Sequence, residues 1–145
     1  MPAVKANTVD GFVFDLNNYK RKYVLVDFWG TWCVPCVQAM PGILALNEKF
    51  KDKSFVMVSV ADDNDPGIVK EFNEHLKMNW INVFQPKGGT DDERSFINRF
   101  KISEYPTLVL VDSDGKIISR GKPIGEVESI LAKAFVNTSE AASAK

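Results

Sequence analysis

Cysteine and histidine are scarce in this chain, which has two cysteines and one histidine among its 145 residues. Two cysteines cannot cross-link a domain of this size into a disulfide scaffold, and a chain with 45% hydrophobic residues can build a core without one. The two thiols supply only half of the ligands of a tetrahedral zinc site, and adding His75 would still leave it one ligand short. The scarcity of ligands therefore argues against a metal.

The chain also has little net charge, −1 at pH 7, and no long apolar segment. Its 18 Lys and Arg nearly balance its 19 Asp and Glu, so no basic stripe would attract nucleic acid. No apolar run approaches the roughly 18 residues that span a bilayer. The opening MPAVKANTVDG lacks the apolar segment of a signal peptide. These features fit either a cytoplasmic protein or the mature part of an exported one.

Two kinds of apolar pattern alternate along the chain. Nearly continuous apolar and β-branched runs predict strands at Tyr23–Trp29, Ser54–Ala61, Trp80–Phe84 and Thr107–Asp112. Helical patterns begin near Val34, Pro66 and Val127, and another runs from Asp91 or Asp92, as N-cap, to Phe100. Strands that alternate with helices, followed by a hairpin, indicate an α/β fold with a mixed central β-sheet flanked by helices.

Both cysteines lie in one short segment, GTWCVPCVQAMP, directly after the first of these strands. Cys33 is expected at the N-terminus of a helix, where free backbone N–H groups and the helix dipole stabilise a thiolate. The thiolate is the attacking species in disulfide exchange, so this position makes Cys33 a candidate nucleophile. Cys36 comes one helical turn later, within reach of a mixed disulfide on Cys33, and Pro35 restricts the backbone between them.

Two cysteines that pack as small hydrophobic residues are the plain alternative, because free cysteine is often buried. Against this, a strand-to-helix turn with glycine and tryptophan is a place where chains come to the surface. The sequence therefore favours a redox-active pair over two core residues.

The segment VLVDFWGTWCVPC (Val24–Cys36) resembles the active-site strand and loop of the thioredoxin superfamily. Further on, YPT (Tyr105–Thr107) precedes a strong strand, which is where that family places its cis-proline loop. The resemblance implies a thioredoxin-like fold and thiol–disulfide exchange, with Cys33 as the exposed attacking thiol and Cys36 as the resolving thiol. It implies no cofactor besides the redox-active Cys33–Cys36 disulfide.

The same resemblance implies substrate contacts at four further residues. Trp32, next to Pro35, would flank the dithiol and shape the binding surface. Pro106 would follow a cis peptide bond, with its neighbouring backbone offered to an extended substrate segment. Tyr105 could narrow this groove and tune partner choice, or it could pack as an ordinary core aromatic. The expected partners are protein disulfide or thiol substrates and an upstream electron donor.

Asp27 occupies the position of the family's buried acid beneath the dithiol. Burial would raise its pKa and let it accept the proton of Cys36 during resolution. The alternative is a strand-end aspartate bonded to backbone or solvent. Thioredoxins proper pair this acid with a lysine on the neighbouring strand, and this sequence departs from them because the approximate counterpart is Val58.

The long segment between Ala61 and Pro106 is a second departure, because it adds the strand-like WINVF and a further helical stretch. This central insertion resembles the TlpA/ResA-like and nucleoredoxin-like branches of the superfamily. The former are commonly exported in bacteria, so we expect a periplasmic or cell-envelope protein whose signal or anchor is absent from this sequence, with a cytoplasmic protein as the alternative. We expect a monomer with a single domain over residues 1–136 and a frayed tail over residues 137–145.

Three functions fit these features. The leading one is a thiol–disulfide oxidoreductase acting on protein disulfides, as a reductant because no charged residue between the cysteines favours the thiolate form. A thiol peroxidase on the same fold would need Thr or Ser three positions before the reactive cysteine and a nearby arginine, whereas Thr31 is two positions before Cys33. A redox-silent binding module would not need two thiols.

Overall fold

A five-stranded mixed sheet forms the centre of the protein, with strand order β5-β4-β3-β6-β7. The computed structural model describes residues 5–143. Two short strands, β1 and β2, form a separate antiparallel hairpin. The strands are β1 (Lys5–Asn7), β2 (Val13–Asp15), β3 (Tyr23–Trp29), β4 (Phe55–Asp62), β5 (Ile81–Gln85), β6 (Thr107–Val111) and β7 (Ile117–Arg120).

Helices connect most of the strands. They are α1 (Val34–Phe50), α2 (Pro66–His75), α3 (Ser95–Arg99) and α4 (Ile124–Ser143), and a 3-10 helix covers Leu16–Tyr19. The N-terminus of α2 is stabilised by an N-cap residue and a proline. The Asp65 carboxylate accepts a hydrogen bond from the Gly67 N–H at 2.8 Å, and Pro66 occupies the first turn. None of the helices in residues 5–143 is long and apolar enough to cross a membrane.

The connections decide which face of the sheet each helix covers. Strands β3, β4 and β5 are parallel neighbours, linked by α1 and then α2. Two right-handed crossovers that advance in the same direction place both helices on the same face. The chain then returns through α3 to β6, which pairs antiparallel with β3 on its other side. The sheet is therefore mixed, as the sequence predicts, and β3 lies at its centre.

Side chains of β3 alternate between two hydrophobic cores. Leu25 and Trp29 belong to the core beneath α1, α2 and α4. Val26 and Phe28 belong to the core on the opposite face, together with residues of α3 and of the β1–β2 hairpin. This alternation places Asp27 on the same face as the helix that carries the cysteines.

Two helix boundaries differ from the expected ones. Helix α3 begins at Ser95 and not at Asp91 or Asp92, because Thr90 and Glu93 bond each other reciprocally and hold the preceding residues in a turn. Helix α4 continues to Ser143, beyond the boundary expected at residue 136. The added sequence contains no Gly or Pro and includes alanines, which favour helix. Residues 144 and 145 of the expected tail lie outside the described residues.

Candidate active site

The two cysteines lie where β3 ends and α1 begins. Cys33 is the N-cap residue of α1, and its sulfur accepts a hydrogen bond from the Cys36 backbone N–H at 3.2 Å. Pro35 lies in the first turn, where a backbone N–H would have no partner within the helix. The two sulfurs are joined in a disulfide, with their Cα atoms 5.3 Å apart. The helix therefore presents a backbone donor directly to the Cys33 sulfur.

Both cysteines are more covered than the resemblance implied. Cys33 is 5% exposed and Cys36 is 1% exposed, and both belong to the core beneath α1. The expectation of an exposed Cys33 is wrong for the oxidised protein, because its sulfur is bonded to the more deeply buried Cys36. Its neighbours Trp32 and Val34 are 49% and 64% exposed. The disulfide thus lies just below a surface that carries two large apolar side chains.

Trp32 is held at this surface by several contacts. Its indole Nε1–H donates to the Asp62 carbonyl oxygen at 2.8 Å, and the Lys87 ammonium lies 4.2 Å from the centre of its ring. Gly30 lies directly beneath the indole, since a Cβ at that position would come within 2.4 Å of Nε1. The loop is tied down further because Thr31 donates to the Asp63 carboxylate from its N–H at 2.9 Å and from its hydroxyl at 2.7 Å.

Tyr105 belongs to the same surface. Its ring packs edge-on against Trp32 with centroids 5.4 Å apart, and its hydroxyl donates to Asp62 Oδ2 at 2.9 Å. Arg94 pairs with the other oxygen of Asp62 at 3.0 Å and also donates to the Pro86 carbonyl oxygen. Burial, with a smaller contribution from the Asp62 carboxylate, raises the pKa of Tyr105, so the phenol stays neutral and remains a donor.

The Tyr105–Pro106 peptide bond is cis. Pro106 is exposed and borders a cavity of about 350 Å3 whose lining is mainly apolar. The lining residues include Ala39 and Ile43 of α1, together with Leu108 and Pro123. An apolar cleft therefore runs from the cis-proline toward the helix that starts at the dithiol.

Asp27 is completely buried in the middle of β3. Burial raises the pKa of its carboxyl to about 7, and a hydrogen bond from the Ser59 hydroxyl to Oδ2 at 3.3 Å partly opposes this rise. Within the described part of the chain the carboxyl forms no hydrogen bond to backbone, and solvent does not reach it, so it does not match the alternative of a strand-end aspartate.

The counterpart of Asp27 on β4 is Ser59 and not Val58. The register pairs Asp27 with Ser59 and Val26 with Val58. Consecutive side chains of a strand point to opposite faces of the sheet, so Val58, one residue before Ser59, lies in the core on the far side. The lysine of thioredoxins proper is thus replaced by a serine hydroxyl that bonds the acid directly.

Ser59, Asp62 and Arg94 belong to the site although sequence reasoning did not select them. A serine within the apolar run SFVMVSVA is a signal that could have pointed to Ser59. Nothing in the sequence indicates that Arg94 reaches Asp62, which is 32 residues away. Among residues 5–143, no group of three or more His, Cys, Asp or Glu side chains could hold a metal ion.

This fold and this dithiol define a class of protein, the disulfide-exchange domains with an active cysteine pair at a helix N-terminus. A family model described as thioredoxin-like matches residues 20–117. Among curated proteins, the thiol-disulfide oxidoreductase ResA of Bacillus thuringiensis subsp. konkukian is 31% identical over 121 residues, which cover 83% of this chain and 66% of that protein. The chain thus spans about two thirds of the length of this relative.

Two solved structures are similar over nearly the whole chain. The thioredoxin domain of a thiol-disulfide oxidoreductase from Bacteroides vulgatus superposes with a TM-score of 0.80 at 31% identity, covering 91% of this chain and 92% of that one. A thiol:disulfide interchange protein from Bacteroides sp. gives 0.79 at 31% identity, covering 91% and 85%. The chain therefore belongs to the thioredoxin-like family of thiol–disulfide oxidoreductases.

Proposed function

We propose that this protein reduces disulfide bonds in other proteins through the dithiol form of Cys33 and Cys36. The observation that supports this most is the hydrogen bond from the Cys36 N–H to the Cys33 sulfur at the start of α1. A thiolate on Cys33 would keep this donor and would also gain from the helix dipole. Val34 and Pro35 add no charge between the cysteines, so the reducing direction is favoured.

In the first step, the Cys33 thiolate attacks one sulfur of the substrate disulfide. A bond forms between Cys33 and that sulfur, the substrate S–S bond breaks, and the departing substrate thiolate takes up a proton. In the second step, Cys36 gives its proton to Asp27 and attacks the Cys33 sulfur. The second substrate thiolate leaves, the Cys33–Cys36 disulfide forms, and two electrons have passed to the substrate. A dithiol donor then reduces the enzyme for the next cycle.

Asp27 suits the role of proton acceptor, because a base with a pKa of about 7 can both take up and release a proton near neutral pH. Trp32, Pro35, Tyr105 and Pro106 would form the surface on which an extended substrate segment lies beside the disulfide. The neutral Tyr105 phenol stays bonded to Asp62, so its ring is fixed as one wall of this surface.

The proposed location is outside the bacterial cytoplasm, in the periplasm or cell envelope. The support for it is the similarity to ResA-like proteins and the central insertion, which adds β5 and a further helix between β4 and β6. The proposed unit is one domain over residues 1–136, acting as a monomer on protein substrates. A thiol peroxidase is less well supported, because Arg94 is paired with Asp62 and the Thr31 hydroxyl is bonded to Asp63.

Reduction of insulin by dithiothreitol, compared among wild type, Cys33→Ser and Cys36→Ser, tests the activity. We expect turnover in the wild type alone. We also expect Cys36→Ser to accumulate mixed disulfides with proteins of an envelope extract, since the resolving thiol is missing, whereas Cys33→Ser should not. Equal insulin reduction by all three proteins would remove the proposal.

A further inference from the structure

Asp27 is connected to the surface of the protein by a short chain of hydrogen bonds. The Ser59 hydroxyl donates to Asp27 Oδ2 at 3.3 Å, and the indole Nε1–H of the half-buried Trp80 donates to Ser59 Oγ at 2.8 Å. The second carboxyl oxygen, Asp27 Oδ1, is buried and has no hydrogen-bond partner among the described residues. One oxygen of the acid is thus fixed by a donor, and the other is available for a proton.

Trp80 is itself held in place by the start of β5. Asn82 is the residue that β5 pairs with Ser59, and its side-chain amide donates to the carbonyl oxygens of Met78 at 2.8 Å and Trp80 at 2.9 Å. The loop that carries the indole is therefore fixed to the same sheet position as the hydroxyl it bonds. Since Trp80 and β5 belong to the central insertion, the insertion supplies the donor that bonds Ser59, the hydrogen-bond partner of the buried acid.

No charged side chain competes with Ser59 for Asp27 among the side chains that the structure describes, those of residues 5–136. The residues paired with Asp27 are Ser59 on β4 and Leu108 on β6. Among residues 5–136, the titratable groups of the three helices over this face and of their caps that are buried with it are those of Cys33 and Cys36. The charged side chains of those helices up to residue 136 are exposed or partly exposed at the surface: Glu48 and Lys49 of α1, Lys70, Glu71, Glu74 and His75 of α2, and Glu126, Glu128 and Lys133 of α4.

We propose that Ser59 and Trp80 are positioning residues for proton transfer from Cys36 to Asp27. The Trp80 N–H occupies a lone pair of the Ser59 oxygen and so directs the Ser59 O–H at Asp27 Oδ2. This bond stabilises the carboxylate and leaves Oδ1 as the oxygen that accepts the Cys36 proton. The inference rests on the proposed function, because it concerns the step in which Cys36 displaces a bound substrate.

The step balances without any further reactant. The Cys36 S–H bond breaks, and its proton joins Asp27 Oδ1. The Cys36 thiolate then forms a bond to the Cys33 sulfur while the bond from Cys33 to the substrate sulfur breaks. Ser59 and Trp80 keep their own protons throughout, so their effect acts only through the proton affinity and orientation of Asp27.

The two steps can be watched separately with the aromatic disulfide dithiobis(nitrobenzoate), added in slight excess to the reduced protein. Attack by Cys33 releases one coloured nitrothiobenzoate, and resolution by Cys36 releases a second. We expect Ser59→Ala to slow the second release about tenfold below pH 7, and Trp80→Phe to slow it about threefold, while the first release stays within about twofold of the wild type. Removing the donor raises the pKa of Asp27, so the pH midpoint of the second release should move upward in both variants.

Ser119→Ala is the matched control, because Ser119 is a buried serine of the same sheet, on β7, whose hydroxyl has no hydrogen-bond partner in the part of the chain that the structure describes. It should leave both releases and the pH midpoint unchanged. Ser59→Thr retains the hydroxyl and should restore the midpoint of the second release. In an Asp27→Asn background, Ser59→Ala should have no further effect on the second release, since its influence passes through the carboxyl.

The outcomes separate this inference from the proposed function. If the wild type releases only one equivalent, the dithiol mechanism itself is wrong. If it releases two and the second release in Ser59→Ala and Trp80→Phe matches the wild type, the function stands and the positioning role is refuted. A slowing that is equal at every pH, with no shift of the midpoint, would show a merely structural role and would also refute it.

Discussion

Gly30 shapes the active-site surface through the absence of a side chain. A Cβ there would lie 2.4 Å from Nε1 and 2.5 Å from Cε2 of Trp32, far inside contact distance. We predict that Gly30→Ala forces the indole away from its bond to the Asp62 carbonyl oxygen and lowers the rate of insulin reduction about tenfold. The indole N–H resonance of Trp32 should shift in a two-dimensional NMR spectrum, whereas those of Trp29 and Trp80 should stay in place.

Gly125→Ala is the matched control for this substitution. Gly125 lies in α4, and a Cβ at that position would meet no atom of the described residues within 4 Å. It should leave all three indole resonances and the activity unchanged, and the higher helix propensity of alanine should raise stability by up to about 1 kcal/mol. An unshifted Trp32 resonance in Gly30→Ala would contradict the proposed packing of the loop.

At the scale of single residues, the sequence predicts the position of the two cysteines but not the partner of Asp27. The position of Cys33 and Cys36 at a strand-to-helix turn follows from patterns within one segment, and it is confirmed by β3 and α1. The partner of Asp27 depends on the register between two strands, and an offset of one residue separates Val58 from Ser59. The hydrophobic pattern of β4 cannot resolve that offset, because both faces of this strand are buried.

Contacts from the central insertion help to hold the active-site loop in place. Arg94, just before α3, pairs with Asp62 at the end of β4, and both side chains are mostly buried, at 16% and 10% exposed. Asp62 in turn holds Tyr105 through its carboxylate and Trp32 through its carbonyl oxygen. The insertion therefore supports the proposed substrate surface in two ways, through the Arg94–Asp62 pair and through the Lys87 ammonium over the Trp32 ring.

We predict that Arg94→Ala lowers the free energy of unfolding by about 2 to 3 kcal/mol, because Asp62 then keeps a buried negative charge with only the Tyr105 hydroxyl as partner. Urea unfolding of the oxidised protein measures this change. Lys49→Ala is the control, since it breaks the exposed Lys49–Glu128 pair and should cost less than about 1 kcal/mol. Equal losses in the two variants would mean that the Arg94 pair is no more than an ordinary surface contact.

Elements between β4 and β6 show the limit of local sequence patterns. Helix α2 was predicted from the helical pattern that begins near Pro66, and Pro66 lies in its first turn. The predicted start of α3, at Asp91 or Asp92, was wrong by several residues. The reciprocal Thr90–Glu93 hydrogen bonds hold these residues in a turn, so the helix begins later. The hydrogen bonds from Arg94 to Asp62 depend on the packing of α3 against β5 and β1, which no local pattern encodes.

At the scale of the whole molecule, the sheet is built around a strand that contains an acid. All six residues from Val24 to Trp29 are buried, and Asp27 is one of them. The mixed sheet and its flanking helices were predictable, because apolar periodicity reports burial directly. The free-energy cost of burying an ionisable group in that strand was not predictable from the sequence, since it depends on how completely the assembled sheet and helices exclude water.

This cost makes the stability of the protein depend on pH. The pKa of Asp27 is raised from 3.8 to about 7 in the folded state, mainly by burial. Between these values the folded protein retains a proton that the unfolded chain has lost, so stability falls as pH rises and levels off above about 7. We predict that the free energy of unfolding of the wild type falls by about 2 to 3 kcal/mol more than that of Asp27→Asn between about pH 5 and about pH 8.

Urea unfolding of both oxidised proteins at the two pH values measures this difference, and the disulfide keeps the cysteines from titrating. Other ionisable groups change equally in wild type and variant, so subtracting one pH dependence from the other isolates Asp27. Because Asn has nearly the same shape and carries no charge, Asp27→Asn should be the more stable of the two at the higher pH. Parallel pH dependences would mean that the carboxyl titrates as it does in water, and Asp27 could then not be the base that receives the Cys36 proton near neutral pH.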